Sequence, residues 1–184
     1  MTQMRLSGLL AALLIPASLG AQVAAQCDCD PARPETMKQR SCSLCNEAEK
    51  QAAGIPHFVL KDINPRKPNR WLILPRDHKE GAHPLHDMDR DQRTALWTAA
   101  IQKAEELFGD DWALAYNGDR VRTQCHTHIH IGRFIKEIEM DNFVVVDGPG
   151  DIPVLEQGGV WVHPVNGKLH VHTGEELAET VLLR

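Results

Sequence analysis

Gln124-Cys125-His126-Thr127-His128-Ile129-His130-Ile131-Gly132 places three of the chain's ten histidines at every second position of a run that reads as a β-strand. Side chains on a strand repeat with a period of two, so the three imidazoles are expected to leave one face and look at one patch of space. Stacked imidazoles partly repel when charged and waste hydrogen-bonding groups when buried and neutral. Three in register therefore point to chemistry: proton transfer, attack on phosphorus, or metal binding.

Working outward, residues 112–116 form a strand candidate that leads into the polar loop Asn117-Gly118-Asp119-Arg120-Val121-Arg122-Thr123. Upstream lies the clearest helix, residues 90–108, with Asp87 or Asp89 as cap and Gly109 as stop. Leu96, Trp97, Ala100, Ile101, Ala104 and Leu107 fall on one stripe at spacings of three and four, which assigns them to the core. Residues 57–61 and 70–74 read as strands joined by the Pro- and Asn-rich turn 62–69, and residues 42–53 as a short helix ended by Gly54. After the histidine run come strand candidates at 142–146, 160–163 and 169–172, the last two joined through Asn166-Gly167, a hairpin signal. Strands, one long helix, then strands predict an α+β fold with an antiparallel sheet.

The 184 residues suffice for one domain with a sizeable core, and 42% apolar with 24% charged residues is ordinary for a globular chain. A formal charge of −5 argues against a general nucleic-acid binder, so any anionic ligand must be held by local groups. Arg5, an apolar run over 6–21 and the small residues Val23-Ala24-Ala25 read as a signal peptide, residues 1–25, cleaved before Gln26. The mature protein would then be periplasmic or secreted. The rival is an uncleaved anchor, because residues 6–25 match the roughly 20 needed to span a bilayer. Residues 26–40 read as an irregular arm.

Cys27 and Cys29 lie in that arm, Cys42 and Cys45 form a C-x-x-C, and Cys125 sits in the histidine run. In an exported chain such clustering means disulfides, whereas the C-x-x-C spacing equally suits two of four zinc ligands. Spacing alone does not choose. His57, His83 and His86 read as structural or solvated, and the second H-x-H, His170 and His172, as a surface hairpin.

The order Cys42-x-x-Cys45, Asp62-Ile63-Asn64-Pro65, Pro75-Arg76-Asp77-His78, long helix, Asn117, then His126-Thr127-His128-Ile129-His130-Ile131 resembles the histidine triad (HIT) superfamily of nucleotide hydrolases and transferases. The resemblance covers residues 41–133, about half the chain. It implies a HIT-like antiparallel sheet of about five strands over residues 41–138, with one long helix, a short N-terminal helix and a β-rich extension at 139–184. Homodimers are common in that superfamily. Asn117, Arg122, Thr123, Gln124, His128 and His130 resemble the CDP-diacylglycerol pyrophosphatase branch, in which Gln tends to stand where this chain has His126. The C-x-x-C with P-x-x-H resembles zinc-bearing HIT proteins and galactose-1-phosphate uridylyltransferase.

The resemblance implies a pyrophosphate-cleaving hydrolase or nucleotidyltransferase, with a nucleotide conjugate as substrate and no catalytic metal. His128 would be the nucleophile that carries a nucleotidyl intermediate, with Asn117 orienting the imidazole or the phosphate. Thr123 and Gln124 would face the oxygens where charge grows, His130 would bond a phosphate oxygen, and Arg122 would contact phosphate. Cys42, Cys45, His78 and His126 would hold a structural zinc. A lipid substrate or an uncleaved N-terminus would bring the protein to a membrane. The reading from another class is an exported metal-binding protein without catalysis.

Overall fold

The computed structural model describes residues 25–78, 80, 81 and 83–184, so the signal-peptide assignment lies, apart from Ala25, outside the described residues. Seven strands form one sheet: β1 His57–Lys61, β2 Trp71–Pro75, β3 Trp112–Tyr116, β4 Ile129–Arg133, β5 Val144–Val146, β6 Val160–Val165 and β7 Lys168–Thr173. Their spatial order is β1-β2-β4-β3-β6-β7-β5, and every pairing is antiparallel. The α+β class is as expected, but the expectation of about five strands with a separate extension is corrected. The last three strands continue the same sheet through β6, which pairs with the edge of β3.

Among the described residues two α-helices flank the sheet, α1 Ser43–Glu49 and α2 Arg90–Phe108. Asp89 caps α2 with a full capping box: it accepts from Gln92 N, while the Gln92 side chain accepts from Asp89 N. Leu96, Trp97, Ala100 and Ala104 of α2 pack on Ile73, Leu114, Ile129, Ile131, Val162 and Val171, the residues of one sheet face. Asn166 and Gly167 both have positive φ, 51° and 75°, which is the tight β6–β7 turn that the Asn-Gly pair announces.

The opposite face carries His130, His163, His170 and His172. Directly paired residues share a face, and the register aligns Leu72, His130, Ala115, Trp161 and His172 in one row across five strands. Helix α1 covers one end of this face through Leu44 and Ala48 against Phe58, Leu72 and Leu74. The C-terminal segment covers the middle, with Ala178, Val181 and Leu182 on Ala113, Ala115, Phe134 and Trp161.

That segment is held by Arg70, whose side chain is 2% exposed. Its Nε donates to Leu183 O at 2.8 Å, its Nη2 to the carbonyls of Glu179 and Leu182, and its Nη1 lies 3.5 Å from Glu179 Oε2. Gly132 makes room for it, since a Cβ there would stand 2.9 Å from Arg70 Cδ and 3.2 Å from Leu182 Cβ.

The arm 26–40 is largely irregular, as expected, with a 3-10 turn at Thr36–Lys38 and another at Arg40–Cys42. Disulfides Cys27–Cys125 and Cys29–Cys42 fasten it, and Ala25 N donates to Arg122 O at 3.1 Å. Two disulfides fit an exported protein. No helix among the described residues is long and apolar enough to cross a membrane.

The Cys27–Cys125 link closes a separation of 98 residues, so its removal restores much chain entropy to the unfolded state. A non-reducing digest is expected to recover the pairs 27–125 and 29–42, with Cys45 the one thiol that alkylates after denaturation. Cys27→Ala with Cys125→Ala is expected to lower stability to urea by about 2–5 kcal/mol.

Candidate active site and metal cluster

The strand expected over the whole histidine run begins only at Ile129, so the three imidazoles do not share one patch. His126 and His128 lie in the extended lead-in, pinned by Cys125, and the run splits into two sites. His128 and His130 meet at 4.8 Å between ring centroids, edge to face. His126 instead contacts His78 and His83, at 5.6 and 5.5 Å.

Around the first pair the chain assembles Asn117, Arg122 and Glu179. His128 is 5% exposed, and its Nδ1 lies 2.9 Å from His126 O, an acceptor, so Nδ1 carries the proton and Nε2 keeps its lone pair. Burial, reinforced by the Arg122 charge, lowers His128 to about 4 against the hydrogen bond to His126 and the pull of Glu179 and Asp62. Burial likewise holds His130 well below its ordinary value. Both imidazoles are therefore neutral at pH 7.

Asn117 Nδ2 stands 3.5 Å from His130 Nε2, and Asn117 Oδ1 accepts from Glu179 N at 2.9 Å. Glu179 Oε2 lies 3.8 Å from His130 Nδ1 and also faces Lys67 and Arg70. Burial opposes its ionisation, but the permanent charges of Lys67 and Arg70 prevail and hold the carboxyl below its ordinary range. The sequence reading gave Glu179 no role; its only signal would be an acid three residues before the Leu-Leu that covers the sheet.

Arg122 is 6% exposed, so it is no solvated loop charge. It pairs with Asp119 at 3.0 Å and lies over the Tyr116 ring, while its buried Nε has no hydrogen-bond partner among the described residues. Thr123 and Gln124 are not brought to the pair. Thr123 is exposed, and Gln124 Oε1 accepts from Ser43 Oγ and Leu44 N while its Nε2 donates to Arg40 O. Gln124 thus serves the start of α1. A cleft lined by Pro84, Met88, Leu96 and Thr127 opens on the α2 side, the side of the sheet away from His130.

In the second site the expected ligand Cys42 is withdrawn, because it is bonded to Cys29. Cys45 is the free thiol and is buried, and its Sγ with the ring nitrogens of His78 and His126 lies within 4.8 Å of one another. His83, read from sequence as structural or solvated, has its ring 5.1 Å from that of His78. The tautomers suit a cation. His126 Nε2 donates to Pro75 O at 2.8 Å and His78 Nδ1 to Glu49 Oε1 at 3.0 Å, while His126 Nδ1 and His78 Nε2 are buried without hydrogen-bond partners among the described residues. Burial pushes the Cys45 thiol up to about 12 and His126 down to about 3. The cluster can hold a metal ion.

The second H-x-H is no surface hairpin either: His172 is 1% exposed and stacks on Trp161 at 3.5 Å.

No family model and no curated protein matches the chain.

The unfolded chain protonates His128 near 6.5, the folded chain only near 4, so between these values the unfolded state binds more protons and stability rises with pH. The contribution is complete above pH 6.5 and is lost as pH falls toward 4. At 1.36 kcal/mol per pKa unit, urea unfolding between pH 7 and 4.5 is expected to show a slope that His128→Gln reduces by about 2–3 kcal/mol in total.

Proposed function

We propose that this protein is an exported enzyme of the histidine triad type that cleaves the phosphoanhydride of a nucleoside diphosphate conjugate through a nucleotidyl intermediate on His128. The observation that carries the reading is the tautomer of His128. A buried, neutral imidazole whose Nδ1–H is spent on His126 O offers an Nε2 lone pair at neutral pH, the state a nitrogen nucleophile requires.

In the first step Nε2 attacks the α-phosphorus, forming an N–P bond as the P–O bond to the leaving phosphate ester breaks with its electron pair. A phosphate ester leaves as a stable anion and needs no protein acid. Water then attacks phosphorus, the N–P electrons return to Nε2, and the water proton passes to solvent; an acceptor alcohol in place of water makes the same site a transferase.

Arg122 brings a positive charge and an unspent Nε donor to the phosphate oxygens. His130 is a positioning residue in contact with His128, held in turn by Asn117 and by the fixed negative charge of Glu179. As the N–P bond forms, positive charge grows on the His128 ring and the Glu179 carboxylate offsets it, whereas water would have to reorganise. Ile63, 97% exposed, is on the loop whose Asp62 acts on His128. An apolar residue there suits a base or an acyl chain, which keeps CDP-diacylglycerol among the substrates.

Cys45, His78 and His126, with His83 beside them, would hold a structural Zn²⁺. Their sulfur and nitrogen donors, with the outer nitrogens already engaged, suit that ion. A bound ion would fix the His126 carbonyl that sets the His128 tautomer. The same cluster is what favours the second reading, an exported metal binder without catalysis.

Two experiments test these readings. With CDP-diacylglycerol, UDP-sugars and dinucleoside polyphosphates as a panel, His128→Ala is expected to reduce turnover by about a thousandfold or more with the fold retained. Undiminished turnover, or none of any nucleotide by the parent protein, contradicts the enzyme. Loaded with Co²⁺, the protein is expected to show a thiolate charge-transfer band that Cys45→Ser removes.

A further inference from the structure

At the far end of the same sheet face, beyond Trp161, lies a histidine cluster that the proposed reaction does not use. His163 of β6 and His170 of β7 are direct cross-strand partners, so both rings leave the same face. The segment after β4 crosses them and lowers Glu139 between the two. Glu139 Oε1 lies 3.3 Å from His163 Nε2 and 3.1 Å from His170 Nδ1. The three ligand atoms lie within 4.8 Å of one another. Among the described residues the buried His163 Nε2 makes no aligned hydrogen bond, the Glu139 carboxylate 3.3 Å away included, and a cation between the two would satisfy both.

The rings are also held in orientation. Phe134 stacks on His163 at 4.3 Å and Phe143 on His170 at 4.0 Å, so neither imidazole is free to turn away. Aromatic walls on two sides and a carboxylate above are an unusual setting for a solvated hairpin, and a suitable one for a preorganised ligand set.

We propose that Glu139, His163 and His170 form a second metal site, which takes an exchangeable first-row divalent ion such as Zn²⁺. Two imidazoles and one carboxylate select borderline ions over Mg²⁺ or Ca²⁺, which prefer all-oxygen sites. Three protein ligands leave a coordination position open, and Glu139, 38% exposed, puts that position at the solvent boundary. In a tetrahedral site with bonds of 2.0–2.1 Å, ligand atoms stand about 3.3 Å apart, so a small inward turn of Glu139 and His170 completes it. The site is independent of the Cys45 cluster. Its ligands come from β6, β7 and the segment after β4, whereas Cys45 is on α1, His78 follows β2 and His126 lies in the lead-in to β4.

Zinc is counted on the full exported chain, stripped of metal, reloaded and desalted, for the parent, Glu139→Gln and His170→Asn. Each variant is expected to bind one equivalent fewer than the parent while retaining the parental cobalt–thiolate band and urea midpoint, which separates this site from the cysteine cluster. Should the cysteine cluster bind nothing, the parent binds one equivalent and the variants none, and the inference stands. Equal zinc content in parent and both variants overturns it, as does a loss confined to the thiolate band.

Discussion

The buried guanidinium of Arg70 is the constraint on which the histidine-bearing face of the sheet depends. A charge taken out of water is costly unless its donors and its field are both satisfied. Here the C-terminal segment supplies three carbonyls and the Glu179 carboxylate. Burial still lowers Arg70 to about 10, although Glu179 and Asp62 act in the opposite direction. The attraction has a structural consequence: the same carboxylate that answers Arg70 and Lys67 is held against His130. One ion cluster therefore closes the sheet face and sets the electrostatics of the histidine pair.

From that constraint the division of the histidine run follows. His130 is on β4 and belongs to the covered face, His128 enters from the lead-in above it, and His126 is drawn away toward α1 by the arm's disulfides and by Pro75. The carbonyl of His126 nonetheless fixes the tautomer of His128. A structural cluster and a reactive pair thus share one residue, the side chain serving one and the backbone the other. On the proposed function, this sharing would give a physical reason for the candidate metal cluster to sit next to the reacting histidine.

Local features were legible in the sequence. The α2 stripe, its Asp89 cap and the Asn-Gly turn each depend on residues within a few positions, and β1 and β3 span the expected residues. Two expectations miss locally, since β4 begins only at Ile129 and α1 ends at Glu49 and not near Gly54, and the others concern distant partners. Cys42 looked like a zinc ligand because disulfide connectivity is a tertiary property, and Cys29 is the residue the fold brings to it. Gln124 has the position of a catalytic donor in the motif, but its amide holds the start of α1. Glu179 and the Glu139 cluster lie outside residues 41–133, and His83 lies in a loop between the motif's elements, so only tertiary packing gives these residues their neighbours. The count of strands was low because nothing local in residues 139–184 says that β6 adds to the edge of β3.

The most direct test of the central claim is chemical capture of the intermediate. The protein is mixed with a substrate labelled in its nucleotidyl group, quenched within a turnover in alkaline denaturant, where a phosphorus–nitrogen bond survives, and mapped by mass spectrometry. The account predicts one nucleotidyl group per chain on the peptide containing His128, disappearing as product forms. Turnover with no adduct, or an adduct on any other residue, would contradict it.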